Sequence, residues 1–388
     1  MTPVRHITPP DWMANTRTQK IMGALNVPGA APLALFVGGA VRNTLMGFPV
    51  GDIDIATIHT PAQVTEILSR AGVKVIPTGI DHGTVTAVTD GAAFEITTLR
   101  RDVDTDGRHA NVAFTDNWVE DAARRDFTMN ALYAAPDGAI YDPTGQGLAD
   151  LEQRRVKFVG DPAARIAEDY LRILRFFRFH AYYGAGDMDV GALSACRASA
   201  DKIATLSRER ITHEFLKILS AENPAPVLSV MFENGVLSEI IASENFNGCQ
   251  NPEMNVISKL FILSGMKDKD FSKWLILSNT QKKYMADLSL ASQELKTLSE
   301  KTIRRLVHLF GNDVAYQTAL IKGADIKLSA LAKNVNVPVL PVNGDDLITA
   351  GIPAGPELGR QLKSIEDWWI AQDFMPDRTA CLEKISSG

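Results

Sequence analysis

Asp52 and Asp54 are the residues whose type and spacing point most directly to chemistry. They stand in the run GDIDIAT, which reads as a strand, and side chains two apart on a strand leave the same face about 7 Å apart along the chain. Two hard oxygen donors on one face suit Mg²⁺, which takes one or two carboxylates and completes its shell with water and substrate phosphates. Upstream, the apolar stretch 33–37 reads as a buried strand that Gly38-Gly39 breaks, followed by a short apolar helix with Arg42 near its start. Paired glycines let backbone N–H groups approach a phosphate, a helix start adds positive potential, and Arg42 offers a forked donor. Together these describe a nucleoside-triphosphate site. Singly, Gly-Gly is equally an ordinary turn and Asp-Ile-Asp a solvated strand edge, so the order along the chain carries the reading.

Further candidates lie downstream. Glu95, between apolar neighbours in the strand 94–99, is either a third carboxylate for the metal or an exposed strand glutamate. Arg124, Arg125, Asp126 and Asn130 fall in EDAARRDFTMNALY, which reads as a helix. The arginines could clamp phosphates, and Asp126 and Asn130, four apart on one helix face, could hydrogen-bond ribose hydroxyls; a salt-bridged solvent face explains them too. Asp169 and Arg172 lie three apart in RIAEDYLRILRFFRFHAYYG and offer a carboxylate acceptor beside a guanidinium donor. That pair matches the Watson–Crick edges of cytosine and adenine and mismatches the carbonyls of guanine and uracil. Arg175 and Arg178 continue the spacing toward triphosphate, RNA or an acidic partner, while Leu171, Leu174, Phe176, Phe177 and Phe179 read as core.

These residues need elements to hold them. One amphipathic helix is expected over 11–25, covering the sheet, and another from Thr60-Pro61, with Thr60 as cap and Pro61 in the first turn. The polar stretch 100–117 has little periodicity and reads as a mobile loop. Asp161-Pro162 opens the helix that carries Asp169, and Ser207 is placed to cap the helix carrying Arg208, Arg210 and Glu214. From residue 154 onward the pattern stays helical. In the tail, Trp368 and Trp369 read as core, with Lys363 offered to phosphate; the scattered Lys267, Lys269, Lys273, Lys282 and Lys283 read as solvation or phosphate contacts.

The 388 residues suffice for two to four domains. No run of about 18 apolar residues suggests a membrane helix, and the opening MTPVRHITPPDW lacks a signal-peptide core, so a cytoplasmic protein is expected. Cys196, Cys249 and Cys381 are too scattered for a zinc site or disulfide framework and read as buried thiols. The formal net charge of −6 argues against a generally basic coat but allows a local basic track.

The ordered set of Gly38-Gly39, Arg42, Asp52/Asp54, RRDFTMNA, YDPTGQGLADL and EDYLRILRFFRF resembles the class II nucleotidyltransferases, the family of CCA-adding tRNA nucleotidyltransferases and bacterial poly(A) polymerases. One departure is Asn43, where that family commonly carries Asp. The resemblance implies an α+β fold: a leading helix (1–30), a polymerase-beta-like head with a small mixed sheet (31–145), and an all-α neck (146–220), body (221–335) and tail (336–388) that contacts tRNA. It implies ribose and triphosphate recognition by Arg124, Arg125, Asp126 and Asn130, base selection by Asp169 and Arg172, and nucleotide contacts from Arg175 and Arg178. The implied reaction builds or repairs the 3′-terminal CCA of tRNA from CTP and ATP, with Asp52 and Asp54 serving two Mg²⁺ ions and pyrophosphate leaving. The partner is the tRNA acceptor stem and 3′ end, with no membrane and no obligate protein partner evident. GIDHGTVTAV, EITTLRRD and DGRHANVAF resemble the CCA-adding branch. The alternatives are a poly(A) polymerase, an enzyme adding only CC or only A, the difference hiding in 102–113, and a silent RNA-binding protein.

Overall fold

The computed structural model describes residues 1–106, 109–241, 243–265 and 275–386. They form two compact units, one of 1–221 with 227–240, the other of 222–226 with 241–388. After β1 (Arg5–His6), α1 (Asp11–Ala14) and α2 (Thr16–Leu25) replace the single expected helix. Asn15 makes the break: its backbone is extended, and its side chain accepts the Thr18 N–H at 2.9 Å and so caps α2. Trp12 packs edge-on against Phe36 at 4.9 Å, so this segment does cover the sheet.

The head then runs through β2 (Ala34–Val37), α3 (Gly39–Met46), β3 (Ile53–Thr57), α4 (Pro61–Arg70), β4 (Lys74–Gly79), β5 (Thr84–Thr89) and β6 (Ala92–Thr98). Thr60 and Gln63 form a reciprocal capping box at the start of α4, and Pro61 occupies its first turn. The polar stretch expected to be a loop is instead an antiparallel ribbon, β7 (Arg100–Asp106) with β8 (His109–Phe114), apart from the main sheet. Backbone pairing holds it; β7 is polar almost throughout, and only β8, with Ala110, Val112 and Phe114 at every second position, carries the apolar alternation of a strand. Positions 107 and 108 lie outside the described residues, as do Lys267, Lys269 and Lys273.

Next come α5 (Trp118–Ala123), a 3₁₀ turn at Thr128–Asn130, β9 (Tyr133–Ala134) and β10 (Ala139–Tyr141). The eight strands order as β1-β10-β9-β2-β3-β6-β5-β4, with β3 and β6 parallel and the other pairs antiparallel. Register sets Val37 opposite Asp54 and Asp54 beside Glu95. Leu35, Val37, Ala56, Leu99, Trp118 and Tyr133 pack beneath, with the Trp118 and Tyr133 rings T-shaped at 5.3 Å.

The remainder of this unit is helical: α6 (Gly147–Glu152), α7 (Pro162–Glu168), α8 (Leu171–Tyr183), α9 (Val190–Ala198), α10 (Arg208–Leu219) and α11 (Ala225–Glu233). Asp161 caps α7 through the Ala164 N–H. The helix expected to run on from it stops at Glu168, because Asp169 is extended (φ −156°, ψ 106°). Beyond it α8 buries Leu171, Leu174, Phe176, Phe177 and Phe179, the last ring lying 4.8 Å from Phe127, so these are core residues as read. Ser207 stands at the N-cap position of α10 but makes no side-chain cap bond.

The second unit holds α12 (Val256–Leu263), α13 (Asn279–Glu294), α14 (Glu300–Ile321), α15 (Ile326–Asn334), α16 (Gly344–Thr349), α17 (Pro356–Ala371) and α18 (Arg378–Ser386). Gly311, at φ 82°, breaks α14. Trp369 is buried with Leu347, Ile365 and Phe374, and its indole donates to the Pro376 carbonyl. Trp368 packs partly buried against that core, and Lys363 pairs with Glu366 and Asp367. No strand follows β10 among the described residues, so the fold is α+β, a mixed sheet succeeded by helices.

Candidate active site

Asp52 stands exposed just before β3 and Asp54 half-buried on it. The parallel β3–β6 register sets Glu95 beside Asp54. Burial first, then the nearby Glu95 and Asp52, hold the Asp54 carboxyl above its ordinary range, and Arg125 works in the opposite direction. Gly38 adopts φ 68°, ψ −124°, a conformation that side chains with a Cβ rarely take. A Cβ there would lie 3.8 Å from Arg125 Nη1 and 4.0 Å from Asp54 Oδ2, so the glycine turn, the strand carboxylate and a guanidinium converge. Repelling carboxylates with a single opposing cation form a site that a divalent cation would relieve. Among the described residues no three acidic, histidine or cysteine side chains gather to hold an ion by themselves. The donor set therefore fits an open, Mg²⁺-like site completed by water and substrate oxygens, not a closed protein cage.

Arg124 and Arg125 converge on a residue that the sequence reading passed over. Asp121, 1% exposed, accepts from Arg124 Nε and Nη2 on Oδ1 and from Arg125 Nη2, at 2.9 Å, on Oδ2, while the Tyr133 hydroxyl donates to Oδ2 at 2.7 Å. Burial opposes ionisation, yet Arg125 and Arg124 hold this carboxyl at about 2. Arg125 is thereby fixed with Nη1 turned toward Gly38. The signal was available: Asp121 precedes the two arginines by three and four residues, the spacing of helical ion pairs.

Asp126 and Asn130 do meet, though not on a helix face. With α5 ending at Ala123, they come together across the 3₁₀ turn, Asn130 Nδ2 donating to Asp126 Oδ1 at 2.9 Å. Arg175 of α8 donates to Asp126 Oδ2 through Nε at 2.9 Å, and Arg42 Nη1 donates to Asn130 Oδ1 at 2.6 Å. Arg42, read as a phosphate donor, is 6% exposed; it also donates to Asn43 Oδ1 and the Tyr183 hydroxyl, and its guanidinium lies 3.9 Å from the Tyr183 ring centre. Its Nη2 lies 3.7 Å from the place of a Gly39 Cβ. One hydrogen-bonded chain thus runs from α3 through the head to α8.

The break after α7 leaves Asp169 just ahead of α8, where its carbonyl accepts the Arg172 N–H at 3.0 Å, and the two side chains take different partners. Asp169 Oδ1 accepts the Leu171 N–H at 3.1 Å and Oδ2 accepts from Arg210 at 2.7 Å. Arg172 Nη1 donates to the Arg165 carbonyl at 2.7 Å and to Glu168. Arg165 in turn donates to the carbonyls of Arg124 and Arg125, tying α7 to the arginine turn. Arg178 donates to Glu214 at 2.6 Å, the acidic partner among its three readings. A cleft of about 440 Å³, enough for a nucleobase, is lined by Glu168, Asp169, Tyr170, Leu206, Ser207 and Arg210.

Residues 34–157 match the poly A polymerase head domain, and 188–243 match a family described as the probable RNA and SrmB-binding site of polymerase A. The mitochondrial CCA tRNA nucleotidyltransferase 1 of Mus musculus is 35% identical over 375 residues, 90% of this chain and 85% of the mouse protein. The CCA-adding enzyme of Levilactobacillus brevis is 30% identical, covering 86% of this chain and 88% of its own. The crystal structure of the Bacillus stearothermophilus CCA-adding enzyme in complex with CTP superposes with a TM-score of 0.74 at 27% identity, over 95% of this chain and 94% of that one. At these identities over most of both chains, the chain belongs to the CCA tRNA nucleotidyltransferase family.

Proposed function

We propose that the protein adds or repairs the 3′-terminal CCA of tRNA from CTP and ATP, releasing pyrophosphate. The observation that carries this is the convergence of Asp54, Glu95, Gly38 and Arg125 in a head that continues into α7 and α8, with Asp169 between them and Arg172 on α8. Membership in a family whose named relatives act on tRNA supports the substrate.

In this reading Asp52 and Asp54, with Glu95 beside them, would hold two Mg²⁺ ions. Bound there, the metal supplies Lewis-acid activation of the tRNA 3′-hydroxyl and charge neutralisation at the α-phosphate. The chain's own groups do the rest. The Gly38-Gly39 turn presents backbone N–H groups at the start of α3, and Arg125 Nη1 beside it supplies positive charge toward the triphosphate. Asp126 and Asn130 face ribose recognition from a network that Arg42 and Arg175 keep rigid. Asp169 accepts from the exocyclic amino group of cytosine or adenine, and Arg172 donates to the neighbouring ring acceptor. We assign 31–145 to the head, 146–220 to the neck, and 221–335 and 336–388 to a body and tail that meet the tRNA. Three buried free cysteines fit a reducing compartment, and we assign the cytoplasm.

The test is primer extension on tRNA lacking its CCA, with Mg²⁺ and each nucleotide alone and combined, beside an Asp52→Ala/Asp54→Ala control. Addition of three residues that needs both CTP and ATP, and is lost in the control, is the expected outcome. A stop at CC or a lone A would mark a partial enzyme, a long ladder from ATP a poly(A) polymerase, and binding without extension a silent RNA-binding protein.

A further inference from the structure

Arg210 occupies a costly position. It lies in the first turn of α10, beside Arg208, where the helix dipole disfavours cations, so helix stability does not account for it. Across the cleft its Nη2 sits 2.7 Å from Asp169 Oδ2, the two side chains 29% and 25% exposed, and both line the same 440 Å³ space. The other Asp169 oxygen is held by the Leu171 N–H. The carboxylate plane is therefore fixed at both oxygens, each keeping an acceptor direction toward the cleft. Asp169 lies at an extended residue between two helices, where no regular backbone would otherwise set its direction.

We propose that Arg210 is a positioning residue for base selection. By orienting Asp169, it lets the site take the amino group of cytosine or adenine and refuse the carbonyl of uracil or guanine. This rests on the assignment of Asp169 to the base edge. A site built to hydrogen-bond one edge rejects its mismatch only while the buried partner cannot turn away or change from acceptor to donor. Arg210 acts through Asp169, so its loss should lower discrimination more than turnover.

The experiment measures kcat and KM for CTP and for UTP on tRNA lacking its CCA, with thermal melting alongside, for the native chain, Arg210→Gln, Arg210→Lys and Asp169→Asn. Arg210→Gln is expected to raise KM for CTP and lower the CTP-to-UTP ratio of kcat/KM by about tenfold, the scale of one charge-assisted hydrogen bond, with kcat for CTP changed far less. Arg210→Lys should fall between Gln and the native chain. If Arg210→Gln slows both nucleotides equally, or only melts earlier, the role is structural and the proposal is wrong. Should the Gln variant not fold, Arg210→Lys decides: a ratio lowered about threefold supports the assignment, because an ammonium cannot reproduce the guanidinium direction, and a native ratio overturns it. If Asp169→Asn leaves the ratio unchanged, the base-edge assignment itself fails, an outcome separate from a normal Asp169 response with an unresponsive Arg210.

Discussion

Asp126 and Arg175, 49 residues apart, form an ion pair, Nε 2.9 Å from Oδ2, with the aspartate 11% and the arginine 31% exposed and Arg175 Nη1 a further 3.9 Å from Glu214. The remaining carboxylate oxygen takes the Asn130 amide and the Phe127 N–H, so every strong contact of Asp126 is internal. Removing Arg175 leaves a charge without its counterpart, whereas removing both members leaves none. Allowing for the exposure of the arginine, Arg175→Ala should cost about 2 kcal/mol, and Asp126→Asn combined with it distinctly less than the sum of the two single changes. Urea unfolding of the four proteins of the cycle measures this. Strict additivity would mean that the pair contributes nothing as a pair.

Asp121 makes the protein sensitive to acid. Its folded value of about 2 lies below the ordinary aspartate value of 3.8, so the stabilisation it provides is fully present above pH 4 and is lost as pH falls from there toward 2. A depression of this size is worth about 2–3 kcal/mol. Asp121→Asn should be less stable at pH 7 and should lose less on acidification than the native chain. Unfolding free energies at pH 7, 4 and 3 test the sign, and equal losses in both proteins would remove Asp121 from the account. The same substitution frees Arg125 from Oδ2, so activity should fall as well.

What could be read in the sequence follows the range of the forces involved. The Thr60–Gln63 capping box and the Asp161 cap are set within four residues, and both stand where the residues point. Asp52 and Asp54 were legible because a two-residue period needs no partner strand, whereas placing Glu95 beside Asp54 needs a register. The β7–β8 ribbon escaped because β7 is polar almost throughout and its pairing is made by the backbone, so the short alternation of Ala110, Val112 and Phe114 in β8 stood without a visible partner strand. The extended Asp169 escaped because helix formers flank it on both sides and its break goes with a distant partner, Arg210, on another helix. Asp121 was within reach by its spacing, yet only burial distinguishes it from a solvated acid.

Asp54 is a stability cost kept for function. Burial, Glu95 and Asp52 push its carboxyl up, so ionisation is harder in the folded chain, and the penalty grows as pH rises above 3.8. Asp54→Asn should therefore melt higher than the native protein at pH 7 in chelator, while extension activity falls by roughly three orders of magnitude with the loss of a metal-holding carboxylate. Mg²⁺ should raise the melting temperature of the native protein and not of the variant. A variant that melts lower in chelator, or gains as much from Mg²⁺, would contradict both the repulsion and the metal assignment.

Asn43 is where the resemblance leads one to expect aspartate, and the geometry gives the amide a use that a carboxylate lacks. Its oxygen accepts from Arg42 Nε at 3.2 Å and Nη2 at 2.9 Å, and its nitrogen donates to the Pro49 carbonyl at 2.8 Å, in the turn that leads into Asp52. Asn43→Asp would strengthen the bond to Arg42, whose other described partners, Asn130 and Tyr183, are neutral, but would set a carboxylate oxygen against the Pro49 carbonyl. The two effects oppose each other in stability, so unfolding should shift by less than about 1 kcal/mol. In function they add, because the turn before Asp52 loosens while Arg42, which holds Asn130, is drawn toward the new carboxylate. We expect KM for both CTP and ATP to rise about threefold to tenfold and the Mg²⁺ needed for half-maximal rate to rise with it, on the scale of one such hydrogen bond. Asn43→Ala, which loses the Pro49 bond without adding charge, should raise the Mg²⁺ requirement while changing the nucleotide KM less. An Asn43→Asp enzyme with native constants would show that the turn holds Asp52 without the amide.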